Sequence, residues 1–221
     1  MKRAIYDDDH EAFRSSVKEF LDRDVVPHLE EHADNHGLPR EFWTAAGKQG
    51  FLGLEVPEEY GGSEAGDYRF NAVLTEELAK VNMTLPSCVG IHSDIVAPYL
   101  VHLTNDEQRR RWLPGFCSGE VLTAIGMTEP SGGSDLAALK TTAVRDGDDW
   151  IINGSKTFIT NGGSADLVVA FLSFTLTTYV RFRDFEARYT KLARRLALDE
   201  AGPPQASEGI GEQQKAPSTE S

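Results

Sequence analysis

Cysteine is almost missing from this chain. Two thiols, Cys88 and Cys117, are all that its 221 residues hold. Their spacing matches no metal or redox motif, which excludes a disulfide framework and leaves buried thiols in a reducing compartment as the expectation. Positive charge is scarce as well. Lys and Arg number 22 against 35 Asp and Glu, giving a net charge of −13 and a pI near 4.9. Such a balance offers no basic face for phosphodiesters and excludes nucleic acid as a partner. Long apolar runs are absent too: the longest uncharged stretch, Leu167 to Val180, has 14 residues. That is too short to span a bilayer. The opening MKRAIYDDDH lacks an apolar h-region, so no signal peptide is expected. These absences point to a soluble, cytoplasmic protein.

What is present supports a packed core. Apolar residues make up 40 % of the chain, and the length suits one to two domains. Asp8 or Asp9 can cap a first helix, with Phe13, Val17, Phe20, Leu21 and Val25 recurring at helical spacing. Pro27 should end or kink it, because proline has no N–H to donate. Pro39 fits the start of a helix over Arg40 to Gln49, with Gly50 as its stop. A loop, Val56-Pro57-Glu58-Glu59-Tyr60-Gly61-Gly62, precedes an amphipathic helix from Tyr68 to Lys80 that lines up Phe70, Leu74 and Leu78. Leu85 to Leu103 is apolar all round and predicts a central buried helix with Cys88, Ile91, Ile95 and Tyr99 aligned. Thr104 with Glu107 reads as a capping box for a helix ending near Pro114-Gly115.

Near residue 121 the apolar pattern changes to period two. Val121 to Ile125, Thr141 to Arg145, Trp150 to Ile152, Ser155 to Thr160 and Leu167 to Ala170 read as strands, with turns at Asp146-Gly147 and Asn153-Gly154. Helices followed by strands make an α+β chain.

The first strand drops abruptly into Met127-Thr128-Glu129-Pro130-Ser131-Gly132-Gly133-Ser134-Asp135. Gly132 and Gly133 let the backbone come close to a ligand, and successive free N–H groups in such a loop form a concave donor site. Thr128 and Ser134 add hydroxyls. Downstream stands Phe158-Ile159-Thr160-Asn161-Gly162-Gly163. Together these strings resemble the two flavin-binding segments of the acyl-CoA dehydrogenase family, a Thr-Glu-Pro turn leading to Gly-Ser-Asp and an aromatic-Ile-Thr strand. Ser131 stands where the usual pattern has Gly. The Pro57-to-Gly62 loop, the Thr75-Glu76-Glu77-Leu78-Ala79 helix and the Asn153-Gly154-Ser155-Lys156 turn have family counterparts too, so the resemblance runs from the first helix through Ala170.

The resemblance implies an all-helical N-terminal domain over residues 1–120 and a partial β-barrel-like middle domain over 121–180; where it stops, an unrelated helix and a disordered tail are expected over 181–221. Arg181 to Leu198 is amphipathic and basic, which suits either a partner-binding helix or one of accidental sequence. Ala201 to Ser221 is rich in Pro, Gly, Ser, Gln and Glu and predicts disorder. Because the family pattern is lost inside a β domain, the chain is expected to be truncated or frameshifted. Sequencing the surrounding DNA tests that: an open frame continuing in another register supports it, an intact stop with no remnant contradicts it.

The family reaction is α,β-dehydrogenation of an acyl-CoA thioester with FAD and an electron-transfer flavoprotein. The resemblance implies that Ile125, Gly126, Met127, Thr128, Gly133, Ser134, Phe158, Ile159 and Thr160 line the flavin. Thr128 and Thr160 would bond its edge, and Phe158 would pack on it. Ser134 would meet flavin phosphate or acyl-CoA, and Tyr60 and Gly61 would border the acyl cavity. No catalytic residue is assigned, because the family's glutamate base lies in the C-terminal helical domain; Glu129 suits loop geometry instead. Family oligomers also form through that domain, so homo-oligomers are not expected of this chain. Two alternatives stay open: a non-catalytic remnant or interaction module, and a flavin oxidase or monooxygenase on the same fold. No metal is assigned. His28, His32 and His36 repeat at helical spacing, yet their face is otherwise charged and reads as solvated. The Arg109-Arg110-Arg111 run likewise reads as a wet helix face.

Overall fold

The computed structural model describes residues 5–29 and 37–173. Helix α1, Asp8–Phe20, starts from an N-cap at Asp7, one residue earlier than the sequence suggests. The Asp7 carboxylate accepts the Asp9 and His10 N–H groups at 3.1 and 3.2 Å, and His10 Nδ1–H donates to the same carboxylate at 2.6 Å. His10 thus fastens the cap with its side chain as well as its backbone. The helix widens into a π turn, Leu21–Val25, then tightens into a 3-10 turn, Val26–His28, where Pro27 ends the regular ladder. Helix α2, Arg40–Lys48, follows Pro39 and stops before Gly50, whose φ of 77° is left-handed. Helix α3, Arg69–Val81, buries Leu74 and Leu78, with Phe70 packed on the core, as the spacing predicts.

A longer rod comes next: α4, Thr84–Gly90, a π turn, Ile91–Val96, and α5, Ala97–Leu103. Its buried face is the expected one only at Cys88. Leu85, Val89, His92, Val96 and Leu100 point inward, whereas Ile95 is 42 % exposed. The inward residues keep three- and four-residue spacing one position away from Ile91, Ile95 and Tyr99, and Ile91 and Tyr99 are half-buried. Helix α6, Asp106–Ser118, is capped by Asn105 and Gln108 rather than Thr104 and Glu107. The Thr104 hydroxyl is used by the preceding helix, where it donates to the Leu100 carbonyl. The helix also continues through Pro114 and stops only at Gly119, φ 78°, where a Cβ would lie 2.2 Å from the Trp43 carbonyl oxygen. Val17, Phe20, Trp43, Leu52, Leu78 and Leu85 share one core beneath these helices.

Two small sheets follow. β1, Thr123–Gly126, pairs in parallel with β4, Leu167–Ala170. β2, Thr142–Asp146, and β3, Asp149–Asn153, form an antiparallel hairpin closed at Gly147, φ 62°. The expected strand over Ser155 to Thr160 does not form. That stretch is a loop with left-handed backbone at Phe158 and Asn161, and the Thr157 N–H goes to the Thr128 carbonyl instead of a sheet partner. Helices first and small sheets second give the expected α+β order. Among the described residues no helix is long and apolar enough to cross a membrane. The expectations for 181–221 lie outside the described residues.

Candidate functional site

β1 is buried along its whole length because it packs on the π turn of the rod and pairs with β4. His92 fixes the contact. Its Nε2–H donates to the Phe116 carbonyl at 3.1 Å, so its Nδ1 accepts from the Thr123 hydroxyl at 2.9 Å. The ring stacks on Phe116 with centroids 3.9 Å apart. Burial pushes its pKa down to about 4, so the imidazole is neutral near pH 7.

At the end of β1 the chain turns over Glu129-Pro130-Ser131-Gly132, closed by reciprocal backbone bonds of 3.0 Å between Glu129 and Gly132. Pro130 presets the second position of the turn. Ser131 sits at the third with no positive φ, so this turn does not require the Gly of the family pattern. The Glu129 carboxylate is buried beneath the turn. It accepts the Thr141 hydroxyl, the Thr141 N–H at 2.9 Å, the Lys140 N–H at 2.7 Å and Lys156 Nζ at 2.9 Å. These donors, the Thr141 hydroxyl foremost, hold its pKa down to about 2. An ionised carboxylate with every donor in place organises the loop and is a poor candidate for a proton-abstracting base.

Lys156 links the two motifs. Its Nζ also donates to the Met127 carbonyl at 3.2 Å, and the neighbouring Thr157 N–H donates to the Thr128 carbonyl at 3.0 Å. The first and second turns are therefore side by side. Phe158 follows with φ 55° and its ring 91 % exposed. A left-handed phenylalanine with its ring in solvent is a costly arrangement, and such outliers concentrate at ligand sites. Ser131, Gly132, Gly133 and Ser134 are exposed, and nothing stands within 4 Å of a Cβ built on Gly132. Gly126 and Met127 lie under Lys156; Thr128, Ile159 and Thr160 are half-buried. Ile125 is buried, so its side chain belongs to the core and only its backbone can face a ligand.

A cavity of about 800 Å³ opens on the other side of the second turn. Ile159 to Ser164 form one wall, Met83, Thr84, Ser87 and Cys88 of the rod another, and Gly37 to Pro39 a third. Among the described residues no acidic side chain lines it. Tyr60 and Gly61 are not among its walls: Tyr60 is buried and Gly61 turns the loop with φ 88°. Ser134 also lies outside it.

Two connections had no signature in the sequence. Asn161 Nδ2 donates to the Cys88 carbonyl at 2.9 Å and to the Thr123 carbonyl at 3.3 Å. Arg40 forks onto Asp166 at 2.6 and 2.9 Å, and Asp166 accepts the Leu122 N–H. Each joins groups far apart in the chain, which no local spacing reports. Of the histidine series only His28 is described, and His32 and His36 lie outside the described residues. Among the described residues no group of three metal-ligating side chains stands together. Arg109 donates to the Thr104 carbonyl of its own helix start.

Residues 7–120 match the family model described as acyl-CoA dehydrogenase, N-terminal domain, and residues 124–188 match acyl-CoA dehydrogenase, middle domain. The chain is 44 % identical over 167 residues to the mitochondrial long-chain specific acyl-CoA dehydrogenase of Sus scrofa, covering 76 % of this chain and 38 % of that protein. It thus spans well under half the length of this curated relative. Among solved structures, an acyl-CoA dehydrogenase from Geobacillus kaustophilus superposes with a TM-score of 0.73 at 45 % identity, over 76 % of this chain and 44 % of the other. A glutaryl-CoA dehydrogenase from Mycobacterium smegmatis in complex with FADH2 gives 0.66 at 32 % identity, over 74 % and 42 %.

Proposed function

This chain belongs to the acyl-CoA dehydrogenase family, and from that membership we propose that it supplies the flavin wall and part of the substrate cavity of an FAD-dependent acyl-CoA dehydrogenase. The observation that carries the reading is the 3.0 Å bond from the Thr157 N–H to the Thr128 carbonyl, which sets the two turns beside each other. The residues fit the cofactor: a solvent-facing Phe158 ring offers a stacking surface, and the Gly132 backbone has open space above it. In this reading the backbone of Ile125, Gly126 and Met127 and the Thr128 and Thr160 hydroxyls face the ring edge. Gly133 and Ser134 present N–H groups and a hydroxyl to phosphate or acyl-CoA, and Ile159 lies between ring and cavity.

When bound, FAD supplies the hydride acceptor for α,β-dehydrogenation of an acyl thioester. The acyl chain lies in the cavity against Met83, Ser87 and Cys88, whose thiol burial pushes up and keeps protonated. Glu129 keeps its proton off and its donors engaged, so the α proton goes to a carboxylate outside the described residues. The division at 120/121 is supported by the two family matches, one ending at 120 and the other starting at 124. An electron-transfer flavoprotein is the redox partner and fatty-acid breakdown the setting that the family implies. Two buried, unpaired thiols favour the cytoplasm.

Reconstitution with FAD tests the reading. A yellow protein with a flavin band after gel filtration is the expected result. A colourless folded protein overturns it. Bleaching of that band by an acyl-CoA alone would place the base within this chain.

A further inference from the structure

Asn161 stands where the cavity, β1 and the second turn meet. Its backbone is left-handed, φ 64°, a conformation that asparagine tolerates better than most residues. Its carbonyl accepts the Ser164 and Ala165 N–H groups at 3.0 and 2.9 Å, which closes the turn behind it. Its side chain points the other way, with one amide nitrogen bridging the Cys88 carbonyl on the rod and the Thr123 carbonyl on β1. Cys88 is a cavity wall residue, and Thr123 begins the strand that delivers the first turn. One side chain therefore binds three pieces: the cavity wall, the strand leading to the first turn, and the second turn itself.

We propose that Asn161 is a positioning residue, which sets the distance of the second turn from the first and from the helix walling the cavity. The proposal rests on the flavin reading for its purpose, though not for its geometry. Lys156 holds the near end of the segment and Asn161 the far end. Without Asn161, the segment keeps Lys156 and the Thr157 bond at one end and Arg40 on Ser164 and Asp166 beyond the other, but loses its direct tie to the rod and to Thr123. The position calls for a hydrogen-bond donor. An aspartate of the same shape would face two carbonyl oxygens with a third oxygen and offer no proton.

The test uses the full, FAD-free chain and two variants. Asn161→Asp keeps the shape and removes both donors. Asn161→Gly keeps the left-handed backbone and removes the side chain. Amide exchange at Thr157 is the readout, with Phe51, whose N–H donates to the Ala46 carbonyl, as the internal control. In both variants exchange at Thr157 should rise about tenfold, the scale of one lost hydrogen bond, with Phe51 unchanged. Where Asn161→Asp fails to fold, Asn161→Gly carries the same comparison. Unchanged Thr157 exchange, or equal acceleration at both amides, overturns the proposal in favour of a merely structural asparagine. FAD titration then separates the two ideas. Wild-type protein that binds FAD should lose about tenfold in affinity in either variant. Wild-type protein that ignores FAD defeats the flavin reading, while the exchange result still decides the role of Asn161.

Discussion

In the helical part Trp43, Leu52, Leu113 and Phe116 are at most 1 % exposed, whereas Val144, Trp150, Ile151 and Ile152 on the β2–β3 hairpin are 49 to 62 % exposed. The helices close a core among themselves. The hairpin pairs its backbone and covers neither face among the described residues. β1 is the exception, because the rod packs against it through His92 and Thr123. The helical part supplies folding free energy, and the two turns of the candidate site hang from its edge through a few polar bonds.

Breaking the helical core should have the largest effect. Trp43→Ala should destabilise the chain by about 3–5 kcal/mol in chemical denaturation, since it removes a fully buried indole from a close-packed site. Next comes pH. His92 has an ordinary pKa of 6.5 and a folded value of about 4. The unfolded chain binds the proton more tightly, so this stability is fully present above pH 6.5 and falls as pH drops towards 4, by about 3 kcal/mol. Urea midpoints across that window should show the slope, and His92→Gln should flatten it. Glu129 responds in a lower window. Its folded pKa is depressed from 4.5 to about 2, so the loop it organises should loosen only as pH falls from 4.5 towards 2. Amide exchange at Lys140 and Thr141 should report that loosening, and exchange already fast at neutral pH would refute the clamp.

Smaller effects sharpen the contrast. Arg40→Ala removes the fork onto Asp166, a pair 46 % and 42 % exposed, so screening limits the loss to about 1 kcal/mol or less, read from the thermal midpoint. Ile152→Ala, on the uncovered hairpin, should change stability by less than about 0.5 kcal/mol by the same measurement. A loss near that of Trp43→Ala would mean that the hairpin faces are covered after all.

Legibility in the sequence follows the same divide. Helix α3 and the β2–β3 hairpin were readable because their signals are local: Phe70, Leu74 and Leu78 at helical spacing, and Asp146-Gly147 between alternating strands. The caps at Asp7 and Asn105 each lie one residue from the expected position, because neighbouring polar residues compete for the same role and geometry selects one. The π turn over Ile91–Val96 leaves no mark in the apolar periodicity. In the site, both turns were visible as strings. Glu129, Lys156 and Asn161 as their fasteners were not, since each acts on partners distant in the chain. The strand expected over Ser155 to Thr160 failed for that reason: its backbone serves Thr128 and its Asn161 end serves the rod.

The most direct measurement is residue-resolved amide exchange of the full chain with and without FAD. If the two turns form one wall, FAD should slow exchange over 126–134 and 157–163 together and leave the hairpin at 142–153 unchanged. Protection confined to one turn, or spread evenly over the helices, would contradict a shared flavin site.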